Sequence, residues 1–416
     1  MNVTAARRVH FVGVGGAGMS ALAKVLLERG AAVSGSDLKR SRATTTLEAM
    51  GADVRIGHRA EQVDGADLVV ISAAIPERNP EVARARQAGI PVLTRGEALA
   101  ALLAGLRSVV VAGTHGKTTT TSMIVSILLR AGLDPTYLVG AGLNDVGTNA
   151  RFGRDEIAIA ESDESDGSFL HLEPFIAVVT NIEVDHVDYW SGIDALRDAF
   201  AHFLDRIPAE GAAVLPVEET ALIEARRAAG TAVFSFGDGG DVVAADVWHE
   251  PAGVGFRLAT PQGAADVVLQ VPGVHNVTNA LAAAAACLPL GLDPDVIARG
   301  LAGFRGVERR FQIRGRARGV TVIDDYAHHP TEVRATLAAA RAGRWDRVVA
   351  VFQPHRYSRT TAFSDDFGGS FRDADRVIVT DVYGAGEEPV PGVTGKLIAD
   401  AVCERLPGRP VAYLPH

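Results

Sequence analysis

The segment Val109-Val-Val-Ala-Gly-Thr-His-Gly-Lys-Thr-Thr-Thr-Thr121 runs from an apolar strand into a glycine turn, a lysine and a block of threonines. A helical pattern follows from Ser122 to Arg130. A strand feeding a tight turn and then a helix belongs in an α/β sheet. Backbone N–H groups of such a turn, with the helix dipole behind them, face a polyphosphate. Lys117 can reach the β- and γ-phosphates, and the Thr118 hydroxyl can reach Mg²⁺. The longer G-x-x-x-x-G-K loop would need glycine where Val111 stands, so this is a shorter loop with Gly113 and Gly116. The only lysines are Lys24, Lys39, Lys117 and Lys396, which argues against an incidental lysine in the turn.

At 416 residues the chain should hold two to three domains, at about 150 residues each. It is 47% hydrophobic and 22% charged, an ordinary globular balance. A net charge of −9 gives no reason to expect nucleic acid or an anionic membrane as partner. Cys287 and Cys403 make no disulfide framework and no metal spacing, which suits reducing cytoplasm. The first residues enter a strand with no secretory apolar region. The longest apolar run, Ala280 to Leu292, contains Pro289 and Gly291 and is too short to span a bilayer.

Strands and helices alternate along the chain, which predicts α/β with parallel sheets. A first unit, 1–105, opens with strand Val9–Val14, the turn Gly13-Val-Gly-Gly-Ala-Gly18 and helix Met19–Arg29. A second, 106–310, starts at the phosphate loop, has strands at Ile157–Glu161 and Ile176–Thr180, and carries a small antiparallel addition between Val243 and Val271. A third, 311–416, has strands at Val320–Ile323, Arg347–Phe352, Arg376–Thr380 and Pro410–Leu414.

Six further segments carry chemistry. The first turn matches G-x-G-x-x-G, with Asp37 at a spacing suited to a ribose hydroxyl. The pattern alone fits NAD, any other diphosphate nucleotide, or a structural glycine turn. Glu161 ends an apolar strand beside the phosphate loop and can hold Mg²⁺; Glu164, further along the acidic run, reads as a solvated loop residue. Asn181, Asp185 and His186 follow another strand end, where open sheets place ligands. His186 among carboxylates suits a metal, although a lone histidine is more often structural. Asn276 and Asn279 open a helix, one as its cap and the other free to face a base or phosphate. Ile323-Asp-Asp-Tyr-Ala-His-His-Pro330 and Phe352-Gln-Pro-His-Arg-Tyr-Ser-Arg-Thr360 each leave a strand, and are expected on one edge of one sheet. Arg356 and Arg359 suit a carboxylate, and His328 can take a proton near neutrality. Surface charge and a capping aspartate are the competing explanation.

Together these motifs resemble the Mur ligases, ATP-dependent amide-bond enzymes of peptidoglycan synthesis and so of cell-wall growth, shape and division. The resemblance covers residue 8 to the end. It implies three domains: a Rossmann-like N-terminal one for a UDP-sugar, a central P-loop-type one for ATP and Mg²⁺ (or Mn²⁺), and a Rossmann-like C-terminal one for the amino acid. Gly15, Gly16, Ala17, Gly18, Met19, Ser20, Ser36, Asp37 and Ser72 would then hold UDP-N-acetylmuramate. Gly113, Thr114, His115, Gly116, Lys117, Thr118, Thr119, Asn276, Asn279, Arg310 and Asp325 would meet ATP. Thr118, Glu161 and His186 would serve the metals, and Tyr326, His328, Arg356 and Arg359 would form an L-alanine pocket. Lys117, Glu161, His186, Arg310 and His328 would carry catalysis. The implied reaction activates the lactyl carboxylate as an acyl phosphate and passes it to L-alanine, with release of ADP and phosphate. Sibling enzymes use a carbamoylated lysine downstream of the Asp-His pair; no lysine lies between Lys117 and Lys396, as expected for the alanine-adding branch. The family pattern usually continues with a further helix and strand, so a shorter third domain is expected here. Oligomeric state is left open.

Overall fold

The computed structural model describes residues 3–165, 167–185, 189–250, 253–343 and 345–415. The N-terminal sheet contains β1 (Arg8–Val12), β2 (Ala32–Asp37), β3 (Asp53–Ile56), β4 (Leu68–Ile71) and β5 (Val92–Thr94), all parallel, in the order β3-β2-β1-β4-β5. Helices α1 (Ala17–Glu28), α2 (Arg42–Ala49), α3 (Pro80–Gln87) and α4 (Arg95–Leu103) connect the strands. β1 lies at the centre, and the chain order reverses between β1 and β4, so the loops after β1, β2 and β4 meet above the sheet.

The central sheet contains β6 (Arg107–Ala112), β7 (Thr136–Leu138), β8 (Ala150–Arg151), β9 (Ile157–Glu161), β10 (Ile176–Val179), β11 (Ala212–Pro216) and β12 (Ala232–Phe236). Its order is β12-β11-β10-β6-β9-β7-β8, parallel except where β8 returns along β7. β6 is flanked by β9 and β10, and Val109 to Ala112 are wholly buried. That placement brings the phosphate loop, the acidic run and the Thr180–Asp185 segment together. Helix α5 (Lys117–Arg130) leaves the loop; α6 (Ile193–Leu204) and α7 (Thr220–Ala228) follow later. The helix begins five residues before the expected Ser122. Threonines are weak helix formers, but here the first turns are packed inside the domain, with Thr120 and Thr121 buried, and Thr121 Oγ1 donates to the Lys117 carbonyl at 2.8 Å. The expected antiparallel addition is β13 (Val243–Glu250), β14 (Gly253–Thr260) and β15 (Gly263–Leu269). Helices α8 (Val274–Cys287) and α9 (Pro294–Ala302) close the unit against α5.

The third unit starts with a hairpin, β16 (Gln312–Ala317) and β17 (Val320–Asp324). Helix α10 (Pro330–Ala342), β18 (Val349–Phe352), α11 (Tyr357–Ser370), β19 (Arg376–Thr380), α12 (Lys396–Arg405) and β20 (Val411–Leu414) complete it. This corrects the single-sheet expectation. β17 pairs only with β16, while β18 belongs to a separate parallel sheet with β19 and β20. The Asp324–Pro330 and Gln353–Thr360 segments therefore leave different sheets, and side-chain contacts rather than a shared ladder bring them together. The third unit has its own core around Phe352, Phe367 and Phe371. The central unit likewise has a core of its own around Ile124, Phe256 and Leu281, but its other face shares a cluster with the N-terminal unit, in which Phe11, Met19 and Leu99 join Val110, Ala160 and Phe200.

Gly300 fixes how the phosphate-loop helix sits. A Cβ there would lie 2.5 Å from the Ile127 backbone, and Ser126 Oγ donates to the Gly300 carbonyl at 3.1 Å. α5 and α9 touch backbone to backbone at this point. Gly300→Ala should destabilise the protein by about 1–3 kcal/mol through overpacking, read as a lower urea midpoint. An unchanged midpoint would mean that the helices can slide apart freely.

Candidate active site

The phosphate loop is tied to the segment after β10. The Thr114 N–H donates to the Asn181 carbonyl at 3.0 Å and the His115 N–H to Asn181 Oδ1 at 2.9 Å. In return Asn181 Nδ2 and Thr180 Oγ1 donate to the His115 carbonyl at 3.0 and 2.6 Å. Two N–H groups of the loop are thus committed to Asn181 and not to a phosphate, while Asn181 also lines the cavity beside the loop. The unpaired N–H groups of the first turn of α5 remain for an anion. Gly113 has φ +125°, and a Cβ on it would overlap Thr180 Oγ1.

Lys117 Nζ donates to the Gly113 and Thr114 carbonyls at 2.6 and 3.1 Å and to Glu164 Oε2 at 2.8 Å. Glu164 is 1% exposed, so it is no solvated loop residue; the short Gly-bearing turn after β9 folds it back under the lysine. Burial pushes the Glu164 carboxyl up to about 7 against the pull of Lys117. Burial also works against the Lys117 charge, yet Glu164 and Asp163 more than offset it and keep the ammonium protonated.

Glu161 stands where the sequence suggested. Burial raises its pKa, opposed by the Thr118 hydroxyl and Lys117, and its Oε2 is buried without a hydrogen-bond partner. A buried carboxylate oxygen left unsatisfied beside a threonine hydroxyl fits an oxygen-ligated divalent cation. His186 lies outside the described residues.

A cavity of about 300 Å³ opens beside the loop. His115, Gly116, Thr119, Asn276, Asn279, Arg310 and Asp325, all expected at ATP, line it. Asn279 is pressed so close to Gly116 that a side chain there would overlap its Oδ1, and Asn279 Nδ2 donates to Asn276 Oδ1 at 3.2 Å. Asp325 braces the chain by accepting from the Phe311 and Ala327 N–H groups, both at 2.7 Å. Two further carboxylates in the wall, Glu183 and Glu332, went unread in the sequence. Glu183 Oε2 lies 3.1 Å from His115 Nε2, and Glu332 Oε1 lies 3.3 Å from His115 Nδ1. Burial opposes a charge on His115, but these two carboxylates carry its pKa up to about 9. Glu332 is the third residue of α10 behind a histidine cap, and only Ser, Thr, Asp or Asn at the cap would have flagged it as a capping box.

Tyr326, His328 and His355 form a ring cluster, with centroids 4.9 Å (Tyr326 to His328) and 5.4 Å (His328 to His355) apart. His328 Nδ1 contacts the Tyr326 carbonyl at 2.7 Å, so it carries the proton and Nε2 is the basic nitrogen. Burial lowers the His328 pKa and takes His355 down to about 4. Arg356 holds φ 71° at the start of α11 and lies 3.8 Å from Glu387. Arg359 is not open to a ligand: it is 4% exposed, and Nε and Nη2 clasp Asp185 at 2.8–3.1 Å.

In the N-terminal unit the Gly13 and Val14 N–H groups donate to the Ser36 carbonyl, and the Gly15 N–H to Asp37 Oδ2 at 2.8 Å. Asp37 therefore shapes the glycine turn. Ser36 Oγ donates to the buried Glu81 at 2.6 Å, and Ser72 Oγ accepts weakly from the Ala74 N–H at 3.4 Å. Gly16, Ala17, Met19 and Ser20 enter or begin α1, with Met19 and Ser20 buried. The Arg95 side chain lies over Gly18, a cation beside a helix N-terminus that no spacing in the sequence announced.

Three family models match in succession: the Mur ligase family catalytic domain over residues 8–107, the Mur ligase middle domain over 111–287 and the Mur ligase glutamate ligase domain over 309–415. The chain belongs to the Mur ligase family. It is 50% identical to the UDP-N-acetylmuramate–L-alanine ligase of Rubrobacter xylanophilus over 98% of this chain and 91% of that relative. The enzyme of the same name from Geobacter sp. is 49% identical, over 95% and 87%. Among solved structures, the UDP-N-acetylmuramate-alanine ligase of Thermotoga maritima superposes with TM-score 0.81 at 29% identity, covering 98% of this chain and 90% of that one. A murein peptide ligase from Psychrobacter arcticus gives 0.74 at 26%, covering 99% and 91%. The order of sheets described above is thus that of a Mur ligase.

Gly113→Ala places a side chain against Thr180 and forces a left-handed backbone, a strain of about 1–3 kcal/mol. ATP-analogue affinity should fall about tenfold or more, measured by calorimetry; unchanged affinity would mean that the turn's shape does not matter to the nucleotide.

Proposed function

We propose that the protein ligates L-alanine to the lactyl carboxylate of UDP-N-acetylmuramate, with ATP converted to ADP and phosphate, in the synthesis of peptidoglycan precursors. The observation that carries this is the near-full-length likeness to two alanine ligases, joined to a lysine loop, a cavity beside it and the Tyr326–His328–His355 cluster in one chain. Residues 1–105 hold the UDP-sugar, 106–310 hold ATP and 311–416 bring L-alanine. The glycine turn and Arg95 meet the diphosphate at the start of α1. The substrates are cytoplasmic metabolites, and no described helix is long and apolar enough to cross a membrane.

The lactyl carboxylate attacks the γ-phosphorus, ADP departs, and the alanine amine then attacks the acyl phosphate carbonyl and expels phosphate. Lys117 leaves its loop carbonyls to follow the charge on the transferring phosphoryl group. Thr118, Glu161 and His186 would hold Mg²⁺, which neutralises phosphate charge when bound. Asn276, Asn279 and Asp325 shape the nucleotide cavity, and Arg310 faces its charge. His328 Nε2 accepts the amine proton, since its buried ring stays neutral at working pH. Closure of the third unit excludes water from the acyl phosphate. With UDP-N-acetylmuramate and L-alanine the enzyme should release ADP; ADP release with a tripeptide but not with L-alanine would instead assign it to the murein peptide ligases.

Lys117→Ala should lower kcat by about 10²–10³. It also takes the ammonium away from the buried Glu164, so Lys117→Ala/Glu164→Gln is the fairer variant. A folded double variant with near-normal ADP release would remove Lys117 from the reaction.

The two arginines now separate. Arg356→Ala should raise KM for L-alanine, a charge-assisted contact of about 2–5 kcal/mol, and leave KM for ATP alone. Arg359→Ala removes the guanidinium that clasps the buried Asp185, at a cost of about 3–5 kcal/mol, and should lower the melting temperature. The reverse pattern in KM and melting temperature would exchange their roles.

A further inference from the structure

Glu332 spends its two oxygens on different parts of the molecule. Oε2 accepts from the His328 N–H at 3.0 Å and the His329 N–H at 3.4 Å, which fixes the start of α10 and the Asp325–His328 strap before it. Oε1 faces His115 of the phosphate loop at 3.3 Å and Arg310 of the connecting segment at 3.6 Å. The side chain is 11% exposed and lines the nucleotide cavity. One carboxylate therefore touches the strap that carries Tyr326 and His328, the loop that carries Lys117, and the link between the units. Thr331 Oγ1, next to it, donates to Glu183 at 2.6 Å, a second tie across the same seam.

We propose that Glu332 is the positioning residue that couples the two half-reactions, holding the amino-acid strap against the phosphate loop so that the acyl phosphate meets the amine and not water. This rests on the ligase reading above. When the tie is cut, water replaces the amine: the acyl phosphate and water give back the lactyl carboxylate and phosphate, and ATP is spent without amide formation.

Charge on His115 strengthens the tie. Glu183, Glu332 and the neighbouring His329 ring, 4.7 Å away, are the groups that face it. Arg310, His328 and His275 are the charged or titratable groups that act on Glu332 besides His115. His115 keeps its proton up to about pH 9. Its folded pKa is raised, so the charge assistance is complete below that pH, and the tie weakens as pH rises through it.

The experiment measures ADP and alanylated product together, with UDP-N-acetylmuramate and L-alanine, across pH 7 to 10. Wild type should give one ADP per amide at neutral pH and excess ADP only as pH passes about 9. Glu332→Gln should show excess ADP at every pH, with KM for L-alanine raised about tenfold, the scale of a lost charge-assisted hydrogen bond. His115→Gln removes the other partner and serves if Glu332→Gln does not fold; the double variant should be no more uncoupled than either single one. One-to-one stoichiometry in folded variants overturns the proposal. Stoichiometric zinc in the purified protein also overturns it, because His115, Glu183 and His329 offer donor atoms within 4.8 Å and a metal would take His115 from Glu332. If wild type itself releases no ADP with these substrates, the ligase reading fails instead.

Discussion

The side-chain amide of Asn181 and the hydroxyl of Thr180 hold the phosphate loop open. Together they take up the His115 carbonyl twice, and Asn181 accepts the Thr114 and His115 N–H groups. A loop of this length has too few residues to close on itself around a phosphate, so the neighbouring strand supplies the missing half of its hydrogen bonds. Everything downstream depends on this: α5 starts where the loop ends, Lys117 folds back onto the Gly113 and Thr114 carbonyls, and the cavity wall begins at His115.

Charge around the loop is arranged as stacked pairs. Glu164 sits under Lys117, Glu183 and Glu332 flank His115, and Asp185 clasps Arg359. A buried cation alone would be costly, and each pair satisfies its cation before any substrate arrives. An incoming triphosphate then exchanges one set of anionic partners for another and does not have to desolvate bare charges.

The strand ends and the glycine turns were legible in the sequence because each is a local pattern: an apolar run, then a turn residue, then a polar group at a sheet edge. Glu161 ends its strand as read, and Asn276, Asn279, Arg310 and Asp325, which the family resemblance placed at ATP, line one cavity. Partnerships across distance were not legible. Asp37 holds the Gly15 N–H, and Asn181, besides lining the cavity, braces the phosphate loop. Glu164 looked solvated and is buried, and Arg359 looked free and is clasped by a residue 174 positions away. The split of β17 from β18 was hidden for the same reason: alternation within a strand says which faces it has, not which strand it lies beside.

Phe11, Leu99, Val110, Ala160 and Phe200 share one apolar cluster, whereas Phe352, Phe367 and Phe371 belong to another. Two of the three sheets are therefore parts of one cooperative body, while the third joins it through ion pairs and hydrogen bonds that water can replace. Heat should divide the molecule unevenly. The amino-acid unit comes away at its own temperature, and the sugar and nucleotide units lose their structure together, since opening either exposes the cluster they share.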